Sequence, residues 1–166
     1  MVAVSSVLLI QRREVKVFWL LKTKQCPACD LKGAKLTGAD LRGANLRAAD
    51  LSNTNLSEAI LVESNLAEAN LQQADLSLVD LTQANMADAD LKSANLSGAN
   101  LMNAQLSRAD LNRTNLLFAE LSGANLSGAD LRQAELHGVN LSGAQLGQAV
   151  INGRSEKRQG DRGQQE

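Results

Sequence analysis

Cys26 and Cys29 are the only cysteines in the 166-residue chain, and their C-x-x-C spacing suits three kinds of chemistry. Thiol–disulfide oxidoreductases use this spacing beside a βαβ unit, which the surrounding sequence does not resemble. A structural zinc site could take the pair as half of its ligands, but it needs two more. The only histidine, His137, lies too far along the chain to complete such a site. We therefore interpret Cys26 and Cys29 as a structural pair that can form a disulfide.

Other residue types used in catalysis or metal binding occur without suitable partners. His137 is expected on the surface, and the many serines have no histidine near them in sequence. Recurrent aspartates could suggest calcium, but a basic residue follows two positions later in three cases: Lys32 after Asp30, Lys92 after Asp90 and Arg132 after Asp130. The sequence has no glycine-rich phosphate loop. We predict no catalytic residues, no metal and no cofactor, so the chain is not expected to be an enzyme.

Leucine recurs at every fifth residue from Leu31 to Leu146, and this period dominates the sequence. Ile151 extends the series, and Met86 is the only other replacement among twenty-five pentads. Alanine stands two residues before the central residue in nineteen pentads, and Asp or Asn stands directly before it in eighteen. A fixed internal period of this kind indicates a repeat architecture.

A period of five residues fits neither an α-helix nor a flat strand. Five helical residues turn through about 500°, so the leucines would form no single face. On a flat strand, an odd period would place successive leucines on opposite faces. Alanine and leucine can both point inward if each pentad makes a short extended stretch and then a corner. Gly, Asn and Asp are suited to such corners.

A twenty-residue period lies within the shorter one. Every fourth pentad has an amide before its central residue: Asn45, Asn65, Asn85, Gln105, Asn125 and Gln145. A second series is mostly aspartate: Asp30, Asp50, Asn70, Asp90, Asp110 and Asp130. The sequence therefore predicts coils of four pentads in which like residues stack, so that amides can hydrogen-bond along the axis.

The tandem A(D/N)LXX units, as in AKLTGADLRGANLRAADL and ANLSGADLRQAEL, resemble the pentapeptide-repeat family over residues 29–151. The resemblance implies an all-β fold, a right-handed quadrilateral parallel β-helix with one coil per four pentads. Residues 26–151 would form about six coils, a rod of ~30 Å at the usual strand spacing. The two Phe, one Trp and absence of Tyr agree with a narrow core of leucine over alanine.

Residues 1–25 precede the repeats and begin with an apolar run, VAVSSVLLI, that is too short to span a bilayer. Basic residues follow this run rather than precede it, which disfavours a secretory signal. The segment LLKTKQCPACDL is similar to the helical lead of many family members. We expect a helix over 14–24 that caps the first coil through Val15, Phe18, Trp19 and Leu21.

Charge is distributed unevenly along the chain. Residues 1–29 have a net charge of +4, residues 30–151 of −6 and residues 152–166 of +1. A basic face is absent, so no nucleic-acid partner is expected. No membrane partner is expected either, because the apolar run is too short to span a bilayer. The polar segment 152–166 is predicted to be a disordered tail. We expect a cytoplasmic protein with reduced cysteines; the periplasm or the thylakoid lumen is the alternative.

A few outward positions are apolar and form a candidate interaction patch: Leu78, Leu117, Phe118, Val62 and Met102. Leu78 and Phe118 share an outward column about 9.6 Å apart, with Gly98 leaving a shallow notch between them. Clustered exposed apolar groups mark binding surfaces more reliably than scattered ones. The alternative is that Phe118 folds over a corner and packs on its own coil.

These observations predict a non-catalytic structural or protein-binding solenoid whose protein partner is unknown, with a weak homodimer as a further option. The family resemblance also implies an alternative, a DNA-mimic inhibitor or protector of a type II topoisomerase. Family members of that kind are acidic dimers joined through a C-terminal helix. This chain carries a net charge of only −1 and ends in a polar segment, which argues against the alternative.

Overall fold

The computed structural model describes residues 14–151 and 154–155. These residues form one helix, α1 (14–23), and two short strands, β1 (Val150–Ile151) and β2 (Arg154–Ser155), which pair antiparallel. Between α1 and β1 the chain winds into a solenoid whose sides each contribute a single bridged residue per coil. No helix within these ranges has the length and apolar composition that crossing a membrane requires.

Parallel bridges join each side of the solenoid to the residue twenty positions later. They run from Gln25↔Asn45 to Asp130↔Val150 at every fifth residue. Two hydrogen bonds flank a typical bridge: Asp50 N–H donates to Cys29 O, and Leu31 N–H donates to Asp50 O, both at 2.8 Å. The coil of four pentads expected from the sequence is therefore confirmed by the pairing.

Each pentad ends in a tight turn whose third residue has a positive φ. In the first of these after the cysteines, Ala34 N–H donates to Leu31 O at 2.9 Å and Gly33 has a φ of 65°. A positive φ recurs at every fifth residue from Ala28 to Gln148, as a type II turn requires at this position. Glycine occupies only eight of these twenty-five corners. The other corners hold side chains in a locally unfavourable conformation that the stacked coils must maintain.

The aspartate or asparagine before each central residue stabilises the following corner. Asp30 Oδ1 accepts a hydrogen bond from Lys32 N–H at 3.2 Å, and Asp110 Oδ1 accepts one from Asn112 N–H at 3.1 Å. A short side chain that bonds the backbone two residues later forms an Asx-turn. Local hydrogen bonding thus explains why Asp and Asn dominate this position.

The central residues and the alanines before them form one continuous core, as the sequence predicts. Leu91, in the middle of the rod, is fully buried. Threonines at alanine positions donate to carbonyls: Thr54 Oγ1 to Leu51 O at 2.6 Å and Thr114 Oγ1 to Leu91 O at 2.9 Å. Buried hydroxyls are tolerated where they find such a partner, and among the described residues only the Ser64 hydroxyl lacks one.

The helix α1 caps the first coil with a different face from the one expected. Leu20 is fully buried and Val17 packs against the core. The four residues assigned to the cap from the sequence are exposed instead: Val15, Phe18, Trp19 and Leu21. Val17 and Leu20 lie three positions apart and share one side of the helix, whereas most of the exposed residues lie on the other. The cap itself is present, but the assignment of its contact residues was wrong.

The C-terminal end of the solenoid is more open than its middle. The last central residues, Leu136, Leu141, Leu146 and Ile151, are only half-buried, although they pack against the core. The strand β2 pairs with β1 in the register Val150↔Ser155 and Ile151↔Arg154. Two residues of the tail predicted to be disordered therefore form a strand. The rest of that tail, and residues 1–13, lie outside the described part of the chain.

Candidate interaction surface

Cys26 and Cys29 are joined by a disulfide, with their Cα atoms 5.3 Å apart. Cys26 is buried in the first coil, and Cys29 is half-buried against the core. The disulfide agrees with a structural pair and differs from the reduced state expected in the cytoplasm. The pair belongs to the N-terminal end of the rod and shows no association with the apolar patch.

The aspartate series forms a charged column along one side of the solenoid. Lys92 Nζ lies 2.8 Å from Asp110 and 3.6 Å from Asp90, and Arg132 Nη2 lies 2.5 Å from Asp130. Hydrogen bonds from Arg132 lower the pKa of Asp130, and hydrogen bonding to Asp110 raises the pKa of Lys92. The predicted ion pairs are therefore present for Lys92 with Asp90 and for Arg132 with Asp130. The described residues show no ion pair between Lys32 and Asp30, and the contact of Lys92 with Asp110 was not predicted. Within residues 14–151 and 154–155 no group of acidic, histidine or cysteine side chains could hold a metal ion.

Amide stacking occurs, but it is strongest on a side that the sequence did not single out. In the predicted amide series, Asn125 Nδ2 donates to Gln105 Oε1 at 3.3 Å. A longer chain of bonds runs on another side, from Asn115 to Asn95 and from Asn95 to Asp75, each at 3.2 Å. These ladders link successive coils and give the rod polar, regular sides.

The predicted patch contains the most exposed apolar side chains of the solenoid. Leu78 and Phe118 are 64% and 66% exposed, and Met102 is 39% exposed. Val62 and Leu117 are half-buried. Leu78 and Phe118 are exposed because both are corner residues with a positive φ, and a side chain at such a corner points away from the core.

Glycines on the following coils support Leu78 and Phe118. A Cβ atom built on Gly98 would lie 2.8 Å from Leu78 Cδ2, so Leu78 fills the notch that was expected at this glycine. A Cβ on Gly138 would lie 2.5 Å from Phe118 Cδ1, and the Phe118 ring meets His137 edge-on at 5.8 Å. Phe118 thus packs on the next coil rather than on its own. Both expectations, the open notch and the packing on its own coil, were wrong.

Leu78 and Phe118 lie on the same side of the solenoid as Val62 and Met102. Leu78, Asp80 and Thr82 alternate with inward-facing Val79 and Leu81, so the outward columns of Leu78 and Thr82 flank that of Asp80. The columns of Thr82 and Asp80 also contain Val62, Met102 and Ile60. We call the resulting surface the apolar side: Ile60, Val62, Leu78, Met102 and Phe118. It measures roughly 13 by 14 Å at ordinary strand geometry.

Ile60 is the residue of this surface that the sequence analysis missed. It is half-buried and bridges to Asp80 in the next coil. It occupies the position that Asp or Asn fills in most pentads, so its departure from the repeat pattern was the available signal. Leu117, in contrast, precedes Phe118 at the edge of the neighbouring side.

Carboxylates lie between the apolar residues of the apolar side. Glu120 accepts hydrogen bonds from Ser122 N–H at 3.0 Å and from Asn140 Nδ2 at 2.9 Å. These bonds lower the pKa of Glu120, so the carboxylate remains charged at neutral pH. Asp80 and Glu120 lie in the column between the two apolar columns, so the apolar side alternates apolar and charged side chains.

Comparison with known proteins places the repeats in a described family. A family model for pentapeptide repeats matches residues 28–61, 59–98, 84–116, 99–138 and 117–153. The chain is similar to the pentapeptide repeat protein Rfr23 from the cyanobacterium Cyanothece 51142, with 27% identity over 84% of this chain and 96% of that one and a TM-score of 0.56. It is also similar to HetL, a pentapeptide repeat protein involved in heterocyst differentiation regulation from Nostoc sp. strain PCC 7120. There the identity is 32% over 77% of this chain and 70% of that one, with a TM-score of 0.38. No curated protein matches the sequence.

Proposed function

Because the chain belongs to the pentapeptide-repeat family, we propose that it is a non-catalytic solenoid that binds another protein through the apolar side. We also infer that the coils wind as a right-handed, four-sided β-helix, as the family resemblance implies. The observation that supports binding is the exposure of Leu78 and Phe118 on one side of an otherwise polar rod. Interfaces commonly depend on a few such anchors, and aromatic residues are prominent among them.

The geometry of the apolar side favours binding because its anchors are already held in place. Leu78 rests on Gly98 and Phe118 on Gly138, while the stacked coils fix the backbone beneath them. A side chain that is ordered before binding loses less conformational entropy when the partner docks. The two glycines are therefore part of the proposed surface, since any Cβ there would displace the anchor.

The charge distribution supports a protein-binding solenoid better than a DNA mimic. Within residues 51–130, Asp and Glu outnumber Lys and Arg by ten to three. Within residues 14–50, Lys and Arg outnumber Asp and Glu by seven to four. A mimic of B-form DNA should present negative charge along its whole length, as the phosphate backbone does. The basic N-terminal end therefore disfavours the topoisomerase alternative.

Site-specific photocrosslinking in the native host tests the proposal. A photoreactive phenylalanine analogue at position 118 should crosslink to one protein partner. The same analogue at position 73, an exposed corner on another side, is the matched control and should not. The Leu78→Ser, Phe118→Ser double variant should keep its fold, because both side chains are mostly exposed, and it should lose the crosslink from an analogue at position 102.

Two outcomes would contradict the proposal. Equal crosslinking from positions 73 and 118 would show that contact with the apolar side is nonspecific. Unchanged crosslinking in the double variant, with circular dichroism showing a folded chain, would show that the two anchors do not contribute to binding.

A further inference from the structure

The helix α1 has apolar residues on two opposite faces, and only one face is covered by the described chain. Leu20 and Val17 pack against the solenoid. On the other face Val15, Phe18 and Trp19 are 54%, 58% and 52% exposed. Phe18 and Trp19 are two of the three aromatic residues in the whole chain. We call Val15, Phe18 and Trp19 the outer face of α1.

The outer face combines an aromatic surface with a cation. The rings of Phe18 and Trp19 meet edge-on with their centroids 6.1 Å apart. Lys22 Nζ lies 5.8 Å from the centroid of Phe18, one helical turn further along. Leu21, at the margin of this surface, is also exposed. Aromatic and aliphatic side chains next to a lysine are typical of helices that lie in the headgroup region of a bilayer.

The N-terminal end of the rod is complementary in charge to an anionic surface, whereas the coils of residues 51–130 are not. Residues 14–50 carry seven Lys and Arg against four Asp and Glu, and Arg12 and Arg13 directly precede α1 in the sequence. Residues 51–130 carry three Lys and Arg against ten Asp and Glu. Anionic lipid attracts juxtamembrane basic residues and repels acidic ones. The axial separation of charge therefore favours contact through the N-terminal end, with the acidic coils held away from the lipid.

We propose that α1 binds the surface of an anionic lipid bilayer, inserting Val15, Phe18 and Trp19 among the headgroups while Lys22 contacts lipid phosphates. The sequence predicted no membrane partner because its apolar run is too short to span a bilayer and because these side chains were assigned to the cap. The exposure of the outer face shows that these side chains do not form the cap contact. Binding to the membrane surface also does not require a segment that spans the bilayer. A second copy of the chain fits less well, because two basic ends would face each other.

The chain provides its own probe for this proposal. Trp19 is the only tryptophan and the chain has no tyrosine, so intrinsic fluorescence reports on α1 alone. The full chain would be titrated with vesicles of phosphatidylglycerol and phosphatidylcholine, and with vesicles of phosphatidylcholine only. We expect a blue shift of the emission and co-sedimentation with the anionic vesicles, both weakened by added salt. Phosphatidylcholine alone should produce little change.

Matched variants locate the contact. Phe18→Ser should weaken partitioning by roughly tenfold, since a phenyl group would no longer leave water. Phe118→Ser removes a similarly exposed phenyl group from the apolar side and should leave partitioning unchanged. The crosslinking proposed for position 118 does not depend on this result, so the two proposals can fail separately.

Three results would overturn the inference. The first is wild-type emission that does not change with anionic vesicles. The second is a lipid-free emission already typical of buried tryptophan, which would mean that the outer face is covered before lipid is added. The third is an equal loss of partitioning in Phe18→Ser and Phe118→Ser.

Discussion

Glycine substitutions at two adjacent glutamines should change stability in opposite directions. Gln72 and Gln73 are both exposed and follow the same buried leucine. Gln73 is a corner residue with a φ of 58°, whereas Gln72 is not among the positive-φ residues. Only Gln73→Gly relieves an unfavourable backbone conformation, although both variants make the unfolded chain more flexible.

The expected magnitudes follow from these conformations. The left-handed conformation costs an L-residue about 1–2 kcal/mol, and glycine costs about 0.5–1 kcal/mol in additional chain entropy. Gln73→Gly should therefore raise the free energy of unfolding by about 0.5–1 kcal/mol. Gln72→Gly should lower it by about 0.5–1 kcal/mol. Gln72→Gly also loses the hydrogen bond from Gln72 Nε2 to Asp90 Oδ2, which is 2.6 Å long.

Urea unfolding followed by circular dichroism measures both variants, and Gly38→Ala serves as a reverse control. Gly38 has a φ of +62°, and a Cβ atom at this position would meet only open space, so alanine there should destabilise through the backbone alone. The urea concentration at the unfolding midpoint should be highest for Gln73→Gly, intermediate for the wild type and lowest for Gln72→Gly. Equal destabilisation by the two glutamine variants would refute the argument that corner conformation limits stability.

Four further tests address the core, the charged column, the disulfide and the compartment. Leu91→Ala should lower the free energy of unfolding in urea by about 2.7–5 kcal/mol, as at other fully buried leucines. Leu136→Ala should lower it clearly less, because Leu136 is only half-buried. Equal losses would contradict the open C-terminal end. Because hydrogen bonds from Arg132 lower the pKa of Asp130, the stability it contributes is present above the unfolded pKa of about 4 and is lost as pH falls through the lowered value. Asp130→Asn should therefore flatten the fall in melting temperature below pH 4, and an unchanged pH profile would contradict this. Cys26→Ser should cost about 1.9 kcal/mol by chain entropy if the disulfide forms. Mass spectrometry after alkylation in intact cells tests the compartment: alkylated thiols agree with the predicted cytoplasm, and a disulfide with the periplasm or thylakoid lumen.

The sequence alone determined the repeat architecture and the inward positions. The five-residue period placed Leu91 and its equivalents in the core, and the twenty-residue period anticipated the bridge between Asp30 and Asp50. These features could be predicted because each depends on the local alternation of inward and outward residues, repeated in every pentad. The same reasoning found Leu78 and Phe118, since an apolar residue at an outward position departs visibly from the pattern.

Only the tertiary structure decided where the non-repeating side chains rest. Leu78 fills the space above Gly98 and Phe118 crosses to Gly138, because each corner lies against a coil that is twenty residues away in sequence. The orientation of α1 was also beyond the sequence, since apolar residues occupy both of its faces and burial of Leu20 selected one. The local period allows several orientations of these side chains and of α1 equally. Contacts with a neighbouring coil select one of them, and those contacts exist only after the chain has folded.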